Sequence, residues 1–270
     1  MKFDGITIVS DMDGTLLTTD KKISNENKNA IEYFKQNGGT FTIASGRVYD
    51  RITMYADELN LKGPVISHNG GVVYDTSENK VLYKKTLDKK ISQVIEDVLL
   101  KYPDYGLEVF GVSEVCFLNN NETIQKHIED EKFENIRWIT HKEIDFDVVK
   151  ILFAHTPEKI SVLENEIPLL YGNKYSVYRS DKYYYEILPI GLTKCSALFY
   201  LREFLGKNAK KIYAVGDNMN DLELIEGADV GITLKNGASG LKKRADFILP
   251  YTNDESAISK LIDLIEKGTI

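Results

Sequence analysis

Short apolar runs alternate with helical patterns at both ends of the 270-residue chain. The runs are rich in β-branched residues and are bounded by polar residues or glycine, which is typical of buried strands. They are ITIVS at 6–10, TFTIAS at 40–45, GPVIS at 63–67, KKIYAVGD at 210–217 and ADVGITL at 228–234. Residues 25–36 and 258–265 carry apolar side chains at helical spacing. Strands that alternate with helices predict a parallel sheet with right-handed crossovers, which is the doubly wound α/β fold.

The pattern changes between about residue 81 and residue 189. Several segments there alternate apolar and polar residues and are joined by short links, from VLYKKTL at 81–87 to KYYYEILP at 182–189, with three helical stretches among them. Such alternation is typical of an antiparallel sheet with helices on one face. We therefore predict a discontinuous core domain at 1–80 and 190–270, with an α/β domain inserted at 81–189.

Composition narrows the class of partner. Hydrophobic residues make up 43% of the chain, which suffices for a sizeable core, and the net charge is −7. An acidic protein has no broad cationic surface for nucleic acid or anionic lipid, so we expect neither as a partner. The apolar run at the N-terminus meets Asp11 too early for a signal sequence or a membrane span. Two cysteines far apart in sequence favour a reducing compartment, and we expect a cytoplasmic protein.

Two carboxylates, Asp11 and Asp13, follow directly on the first predicted strand. In an extended segment residues i and i+2 point the same way, so both can face one small volume, and Gly14 lets the backbone turn sharply beside it. Two carboxylates this close repel each other, which raises the pKa of one of them unless a cation neutralises the pair. Mg²⁺ is a hard ion that is suited to such oxygen ligands. An isolated pair of this kind is often just a solvated strand end, so the other strand ends matter.

Three further segments place polar groups at strand ends or helix starts. GDNMND at 216–221 supplies Asp217 and Asp221, four residues apart on one face of a helical turn, which could complete the coordination of the same ion. ASGR at 44–47 predicts Ser45 beside the N–H groups of a helix N-terminus, a suitable cradle for phosphoryl oxygens. Lys194, after a proline and a glycine, begins a helical pattern and could bring a point charge to a phosphate. Doubly wound sheets bind ligands at the carboxyl ends of their strands, where Asp11, Ser45 and Asp217 are predicted.

The order DMDGT, SGR, Lys194 and GDNMND resembles the haloacid dehalogenase-like superfamily of phosphohydrolases. Within it the chain is similar to the Cof-type branch with a type IIB cap, through SHNG at 67–70 and EILP at 186–189. KNG at 235–237 matches a late signature of the branch loosely, and Cys195 stands where a glycine is usual. The resemblance covers the whole chain and implies a Rossmann-like core split around an inserted α/β cap.

The resemblance also implies roles for individual residues. Asp11 would be the nucleophile that forms an aspartyl-phosphate, and Asp13 the general acid and then the general base. The implied Mg²⁺ site consists of Asp11, Asp13 through its backbone carbonyl, Asp217 and the supporting Asp221. The implied phosphate-binding groups are Ser45, Lys194, Asn220 and the backbone of Met12 and Gly46.

These expectations favour a Mg²⁺-dependent phosphatase acting on a small phosphorylated metabolite, such as a sugar phosphate or a phosphorylated cofactor. A phosphomutase on the same scaffold would hand the phosphoryl group to a sugar instead of water. A non-catalytic sensor of a phosphometabolite is the third alternative, although it gains nothing from a general base at Asp13. The sequence leaves the substrate and the oligomeric state open.

Overall fold

The apolar runs at both ends of the chain form strands, and the helical patterns form helices. The computed structural model describes residues 1–131, 133, 135–206 and 209–270. Its helices are α1 (Asn25–Gln36), α2 (Tyr49–Glu58), α3 (Ile91–Lys101), α4 (Glu122–Asp130), α5 (Pro157–Tyr171), α6 (Lys194–Leu205), α7 (Leu222–Gly227), α8 (Ser239–Lys242) and α9 (Ala257–Glu266). Its strands are β1 (Ile6–Ser10), β2 (Thr40–Ile43), β3 (Pro64–Ser67), β4 (Val72–Asp75), β5 (Lys80–Lys84), β6 (Gly106–Phe110), β7 (Val115–Asn119), β8 (Arg137–Trp138), β9 (Lys150–Ala154), β10 (Tyr175–Asp181), β11 (Tyr184–Pro189), β12 (Lys211–Gly216), β13 (Val230–Thr233) and β14 (Phe247–Ile248). None of the helices in these described ranges is long and apolar enough to cross a membrane.

The chain forms two compact units. The first unit comprises Met1–Tyr83 and Thr193–Ile270, and the second unit comprises Lys84–Leu192. A five-stranded sheet in the order β14-β13-β12-β1-β2 runs through the first unit, and its paired strands are parallel. The prediction of an α/β fold with a parallel sheet is confirmed.

Helices cover both faces of this sheet. On one face Ile8 and Val215 pack with Phe34 of α1 and Leu261 of α9 in a large apolar cluster. On the other face Val9 and its neighbours pack against α6 and α7. Residues 8 and 9 point to opposite sides of a strand, and both are fully buried, as expected for a sheet covered twice.

A small antiparallel sheet, β3-β4-β5, completes the first unit. A 3-10 turn at His68–Gly70 links β3 to β4. The segment VLYKKTL, which its alternation assigns to the inserted domain, instead supplies most of β5 to this sheet. An alternating strand has the same pattern in either sheet, so its partner cannot be read from the pattern.

The second unit contains a six-stranded sheet in the order β10-β11-β9-β6-β7-β8. Its pairs are antiparallel except for β7 with β8. Alternate residues such as Leu107, Ile151 and Ile187 pack against α3 and α5 in an apolar core on one face. Helix α4 approaches the opposite face, because a side chain added at Gly106 would collide with Ile124 of that helix.

Candidate active site

The candidate site lies at the carboxyl ends of three neighbouring strands. Strand β1 lies between β12 and β2, so the residues that follow these strands meet at one edge of the sheet. Asp11 follows β1, Ser45 lies two residues beyond β2, and Asp217 follows β12. The parallel pairing of these strands alone brings together three residues that are far apart in sequence.

Lys194 connects two of the predicted acidic residues. It is the first residue of α6, where Thr193 caps the helix by accepting a hydrogen bond from the backbone N–H of Ser196. Its Nζ lies 2.5 Å from Oδ1 of Asp11 and 2.6 Å from Oδ1 of Asp221. All three side chains are buried, so this is an ion-paired cluster in the interior rather than a surface bridge.

Asp221 also stabilises the backbone that carries Asp217. Its Oδ2 accepts hydrogen bonds from the N–H groups of Asp217 and Asn218, at 3.0 and 3.1 Å. Close packing here depends on Gly216, since a Cβ at that position would lie 2.4 Å from the Cβ of Asp221. Both carboxylate oxygens of Asp221 are hydrogen-bonded, so this residue supports the site by holding Lys194 and the backbone that follows β12.

Asp217 faces the DMDGT segment. Thr15 donates a hydrogen bond from Oγ1 to Oδ1 of Asp217 at 3.0 Å. Gly14 has a φ of +78°, and a Cβ at this position would lie 2.4 Å from Oδ2 of Asp217. Glycine is therefore required here both for the left-handed backbone and for the close approach of the carboxylate.

Asp13 has different partners from Asp11. Arg47 donates from Nε to Oδ2 at 2.7 Å and from Nη2 to Oδ1 at 2.9 Å, while Nζ of Lys21 lies 2.6 Å from Oδ1. The backbone after Ser10 is no longer a strand, so the alternation of an extended chain does not place both carboxylates against one partner. Asp13 pairs with Arg47 and Lys21, whereas Asp11 shares Lys194 with Asp221.

Two of the predicted phosphate-binding residues, Ser45 and Gly46, lie in a loop after β2. Ser45 is buried, and its Oγ accepts a hydrogen bond from the N–H of Arg47 at 3.2 Å. The expected helix does not follow at once, because α2 begins at Tyr49, and residues 45–48 form a loop instead. A side chain at Gly46 would collide with Asn69, whose Oδ1 lies 3.5 Å from Nδ2 of Asn220.

Met12 is placed by its backbone rather than by its side chain. The side chain is fully buried in the core of the first unit, and the carbonyl oxygen accepts hydrogen bonds from the N–H groups of Thr15 and Leu17. These bonds close a tight turn between Met12 and Leu17, which contains Asp13 and Gly14.

The electrostatics of the site follow from burial and from crowded carboxylates. Burial and the charge of Asp221 raise the pKa of Asp11 well above its ordinary value, and Lys194 opposes this shift. Burial and Asp221 also raise the pKa of Asp217 to about 6. Burial also opposes ionisation of Asp13, but its bonds to Arg47 and Lys21 outweigh this effect and lower the pKa of Asp13 to about 2. Ionised Asp11 and Asp217 therefore need additional positive charge, whereas Asp13 does not.

A divalent cation fits this donor set. Oxygen atoms of Asp11, Asp217 and Asp221 all lie within 4.8 Å of one another, and carboxylate oxygens are the ligands of a hard cation. Asp13 is not part of this group through its carboxylate, so the expectation that it contributes its backbone carbonyl stays a prediction.

Arg47, Lys21 and Thr15 are functional candidates that the sequence analysis did not single out. Arg47 and Thr15 belong to the SGR and DMDGT motifs, and their presence there is the signal that could have drawn attention to them. Lys21 carries no such signal, because it reaches Asp13 through a turn of the chain at positive φ.

Comparison with known proteins identifies the family. The family model for haloacid dehalogenase-like hydrolases matches residues 8–262. The chain is 31% identical to 5-amino-6-(5-phospho-D-ribitylamino)uracil phosphatase YwtE of Bacillus subtilis, over 97% of this chain and 98% of that protein. It is 29% identical to a haloacid dehalogenase-like hydrolase from Bacteroides thetaiotaomicron, with a TM-score of 0.87 over 96% of this chain and 98% of the other.

The sugar phosphatase BT4131, of subclass IIB of the superfamily, shares the fold with a TM-score of 0.81 at 20% identity, over 98% of this chain and 99% of the other. The match to the family model confirms the family that the motifs resemble. The chain belongs to the haloacid dehalogenase-like hydrolases.

Proposed function

We propose that this protein is a Mg²⁺-dependent phosphatase that hydrolyses a small phosphorylated metabolite through an aspartyl-phosphate at Asp11. The observation that carries the proposal is the Asp11 carboxylate, buried at a strand end beside the Lys194 ammonium and close to Asp217. The name of the relative YwtE, a phosphatase of a small phosphorylated molecule, supports the reaction class.

In the first step an oxygen of Asp11 attacks phosphorus in line, the P–O bond to the organic group breaks, and Asp13 donates a proton to the leaving alkoxide. In the second step water attacks the same phosphorus, Asp13 takes its proton, and Asp11 leaves as a carboxylate. In its pairing with Arg47 and Lys21 the pKa of Asp13 is lowered, so the carboxylate has no proton to donate and is a weak base. For both roles its bonds to Arg47 and Lys21 must loosen, so that the pKa of Asp13 rises toward the working pH.

The remaining groups position and neutralise the phosphoryl oxygens. We assign this work to Lys194, the Ser45 hydroxyl, Asn220 and the backbone N–H groups of Met12 and Gly46. Positioning and charge stabilisation are most of what phosphoryl transfer requires of a protein.

Asp11, Asp217 and the carbonyl of Asp13 would hold Mg²⁺, with Asp221 in support. The ion would supply positive charge that keeps Asp11 ionised and stabilises the phosphoryl oxygens. We also propose that the second unit helps to recognise the organic part of the substrate, and that the enzyme works in the cytoplasm.

The test is hydrolysis of p-nitrophenyl phosphate with Mg²⁺ by Asp11→Asn. The substitution removes the nucleophile but keeps its size, so we expect activity to fall at least about 10³-fold. Asp20→Asn, the same change at an exposed aspartate of the same unit, is the control and should behave as wild type. Undiminished hydrolysis by Asp11→Asn would remove the proposal.

The two alternatives differ in the fate of the phosphoryl group. A phosphomutase would return an isomerised sugar phosphate without net release of phosphate. A sensor would retain phosphate on Asp11 for much longer than a catalytic turnover. Phosphorus NMR of the reaction with a sugar phosphate distinguishes both from hydrolysis.

A further inference from the structure

The turn between β3 and β4 has an uncommon backbone conformation. Its three residues, His68, Asn69 and Gly70, have φ values of +50°, +54° and +99°. This left-handed region is disfavoured for residues that carry a Cβ, so two such residues in succession must be held there by their surroundings. Conformations of this kind are frequent at functional sites, which makes the contacts of the 68–70 turn informative.

Backbone hydrogen bonds join the 68–70 turn to the loop after β2. The N–H of Asn69 donates to the carbonyl oxygen of Ser45 at 3.0 Å, and the N–H of His68 donates to that of Arg47 at 3.0 Å. The loop carries Ser45 and Gly46, two of the groups assigned to phosphate binding. Two consecutive N–H groups of the turn therefore fix the backbone on which these groups lie.

The side chain of Asn69 lies against two assigned phosphate-binding residues. It is buried, its Oδ1 is 3.5 Å from Nδ2 of Asn220, and a Cβ at Gly46 would lie 2.9 Å from the same oxygen. Asn220 is exposed, so packing in the interior does not fix its side chain, and the buried amide of Asn69 offers it a fixed contact. Asparagine meets both requirements of position 69, because it tolerates a left-handed backbone and carries an amide that accepts and donates.

The 68–70 turn also meets the helix that begins with Lys194. A Cβ at Gly70 would lie 2.2 Å from the carbonyl oxygen of Thr193, the N-cap residue of α6. Only glycine permits so close an approach at a φ of +99°. The turn thus contacts both the loop of Ser45 and the start of α6, so its shape affects the spacing between Ser45 and Lys194.

We propose that the 68–70 turn positions the phosphate-binding groups, with Asn69 as the positioning residue that holds Asn220 and the loop at Gly46. Gly70 sets the approach of the turn to α6 and thereby places Lys194. The inference rests on the proposed function, because the groups that the turn positions are those assigned to the phosphoryl oxygens. Phosphoryl transfer depends chiefly on such placement, so a small displacement of these groups is costly.

The test is hydrolysis of p-nitrophenyl phosphate by the full-length protein with Mg²⁺, with orthovanadate as an inhibitor that mimics five-coordinate phosphorus. Asn69→Gly removes the amide but keeps a residue that accepts the left-handed backbone, so the fold should persist. We expect kcat/KM to fall roughly 10- to 100-fold and the Ki of orthovanadate to rise by a similar factor. Asn60→Gly, the same change at an exposed residue with a φ of +47° in the same unit, should alter neither value more than about twofold.

Asn220→Ala completes a double-mutant cycle. If Asn69 acts through Asn220, the double variant should lose at least about fivefold less kcat/KM than the product of the two single losses. A merely structural role of Asn69 would give the product itself, because the two residues would then act independently.

Gly70→Ala tests the contact with α6. The added Cβ must displace Thr193 or the turn, and we expect kcat to fall at least about tenfold. Gly63→Ala is the matched control, because Gly63 has a φ of +101° and its Cβ would lie 3.9 Å from Cε1 of Phe204, an ordinary contact. The backbone penalty is then similar in both variants, and Gly63→Ala should lower kcat less than about twofold.

Additive losses in the cycle, or an unchanged Ki of orthovanadate in Asn69→Gly, would overturn the inference for Asn69 while the proposed phosphatase function stands. Equal losses in Gly70→Ala and Gly63→Ala would overturn the placing of Lys194 by the turn. Failure of the wild type to hydrolyse p-nitrophenyl phosphate would instead overturn the proposed function, and the inference with it.

A second variant decides the matter if Asn69→Gly does not fold. Asn69→Asp has the same shape, tolerates the left-handed backbone, and places a negative charge beside Asn220 and Gly46. The Ki of orthovanadate, an anion, should then rise at least about tenfold. An unchanged Ki in Asn69→Asp would overturn the inference.

Discussion

Replacing Lys194 with methionine should strongly destabilise the first unit in the absence of metal. Methionine is similar in length to lysine and apolar, so the substitution mainly removes the ammonium group. Asp11 and Asp221 then keep their buried positions but lose the cation that lies 2.5 and 2.6 Å from their oxygens.

The magnitude follows from burial. The side chain of Lys194 is 0% exposed, and those of Asp11 and Asp221 are 8% and 0% exposed, so solvent cannot replace the lost cation. Breaking a buried ion pair by removing one partner costs about 3–5 kcal/mol. Adding Asp221→Asn to Lys194→Met removes one of the repelling charges, and we expect it to recover about 1–3 kcal/mol.

The assay must report on the first unit alone. The single tryptophan of the chain, Trp138, belongs to β8 of the second unit, so its fluorescence reports on that unit. Hydrogen exchange at the amides of β1 and β12, measured at pH 7 with a chelator, gives the opening free energy of the first sheet. Lys210→Met is the control, because Lys210 pairs with Asp4 on the surface and its loss should cost less than about 1 kcal/mol.

If Lys194→Met lowers the opening free energy no more than Lys210→Met does, Lys194 does not stabilise the fold by neutralising the buried carboxylates. If Asp221→Asn fails to lessen the loss in the double variant, the loss does not come from unpaired carboxylates.

Three further predictions concern the same site. The pKa of Asp217 is raised from 3.8 to about 6, so the ionised side chain destabilises the first unit increasingly as pH rises from about 4 to 6. Asp217→Asn should therefore stabilise this unit, with metal chelated, by up to about 3 kcal/mol at pH 7 and not below pH 4. Hydrogen exchange measures both values. The pKa of Asp13 is lowered to about 2, so its pairing with Arg47 and Lys21 stabilises the fold above pH 4 and this stabilisation is lost as pH falls toward 2. Arg47→Gln should reduce the stabilisation by less than about 1 kcal/mol and raise the pKa of Asp13 in a carboxyl NMR titration. Gly14→Ala should weaken Mg²⁺ binding at least about tenfold by calorimetry, whereas Gly268→Ala, at positive φ in open space, should not.

The positions of the site residues at strand ends could be predicted because they depend on local pattern. An apolar run that stops at Asp11, and another that stops at Asp217, places both at carboxyl ends whatever the strand order. In a parallel sheet those ends share one edge, so convergence follows once the strands are neighbours.

The pairing of charges could not be predicted in the same way. Lys194 and Asp11 are 183 positions apart, and no periodicity relates them. The separate neutralisation of Asp13 depends on where Arg47 and Lys21 lie after folding, and the extended geometry assumed for the DMDGT segment ends at Ser10. Likewise, β5 joined the small sheet of the first unit because the partner of a strand is decided by tertiary packing.

Chemical trapping shows whether Asp11 forms a bond to phosphorus. Asp13→Asn should still react with p-nitrophenyl phosphate, whose leaving group needs no proton, but should hydrolyse the aspartyl-phosphate slowly because the base is missing. After acid quench, borohydride reduction and peptide mapping, we expect homoserine at position 11. Modification of a different residue, or intact Asp11 in every peptide despite a burst of p-nitrophenol, would exclude Asp11 as the nucleophile.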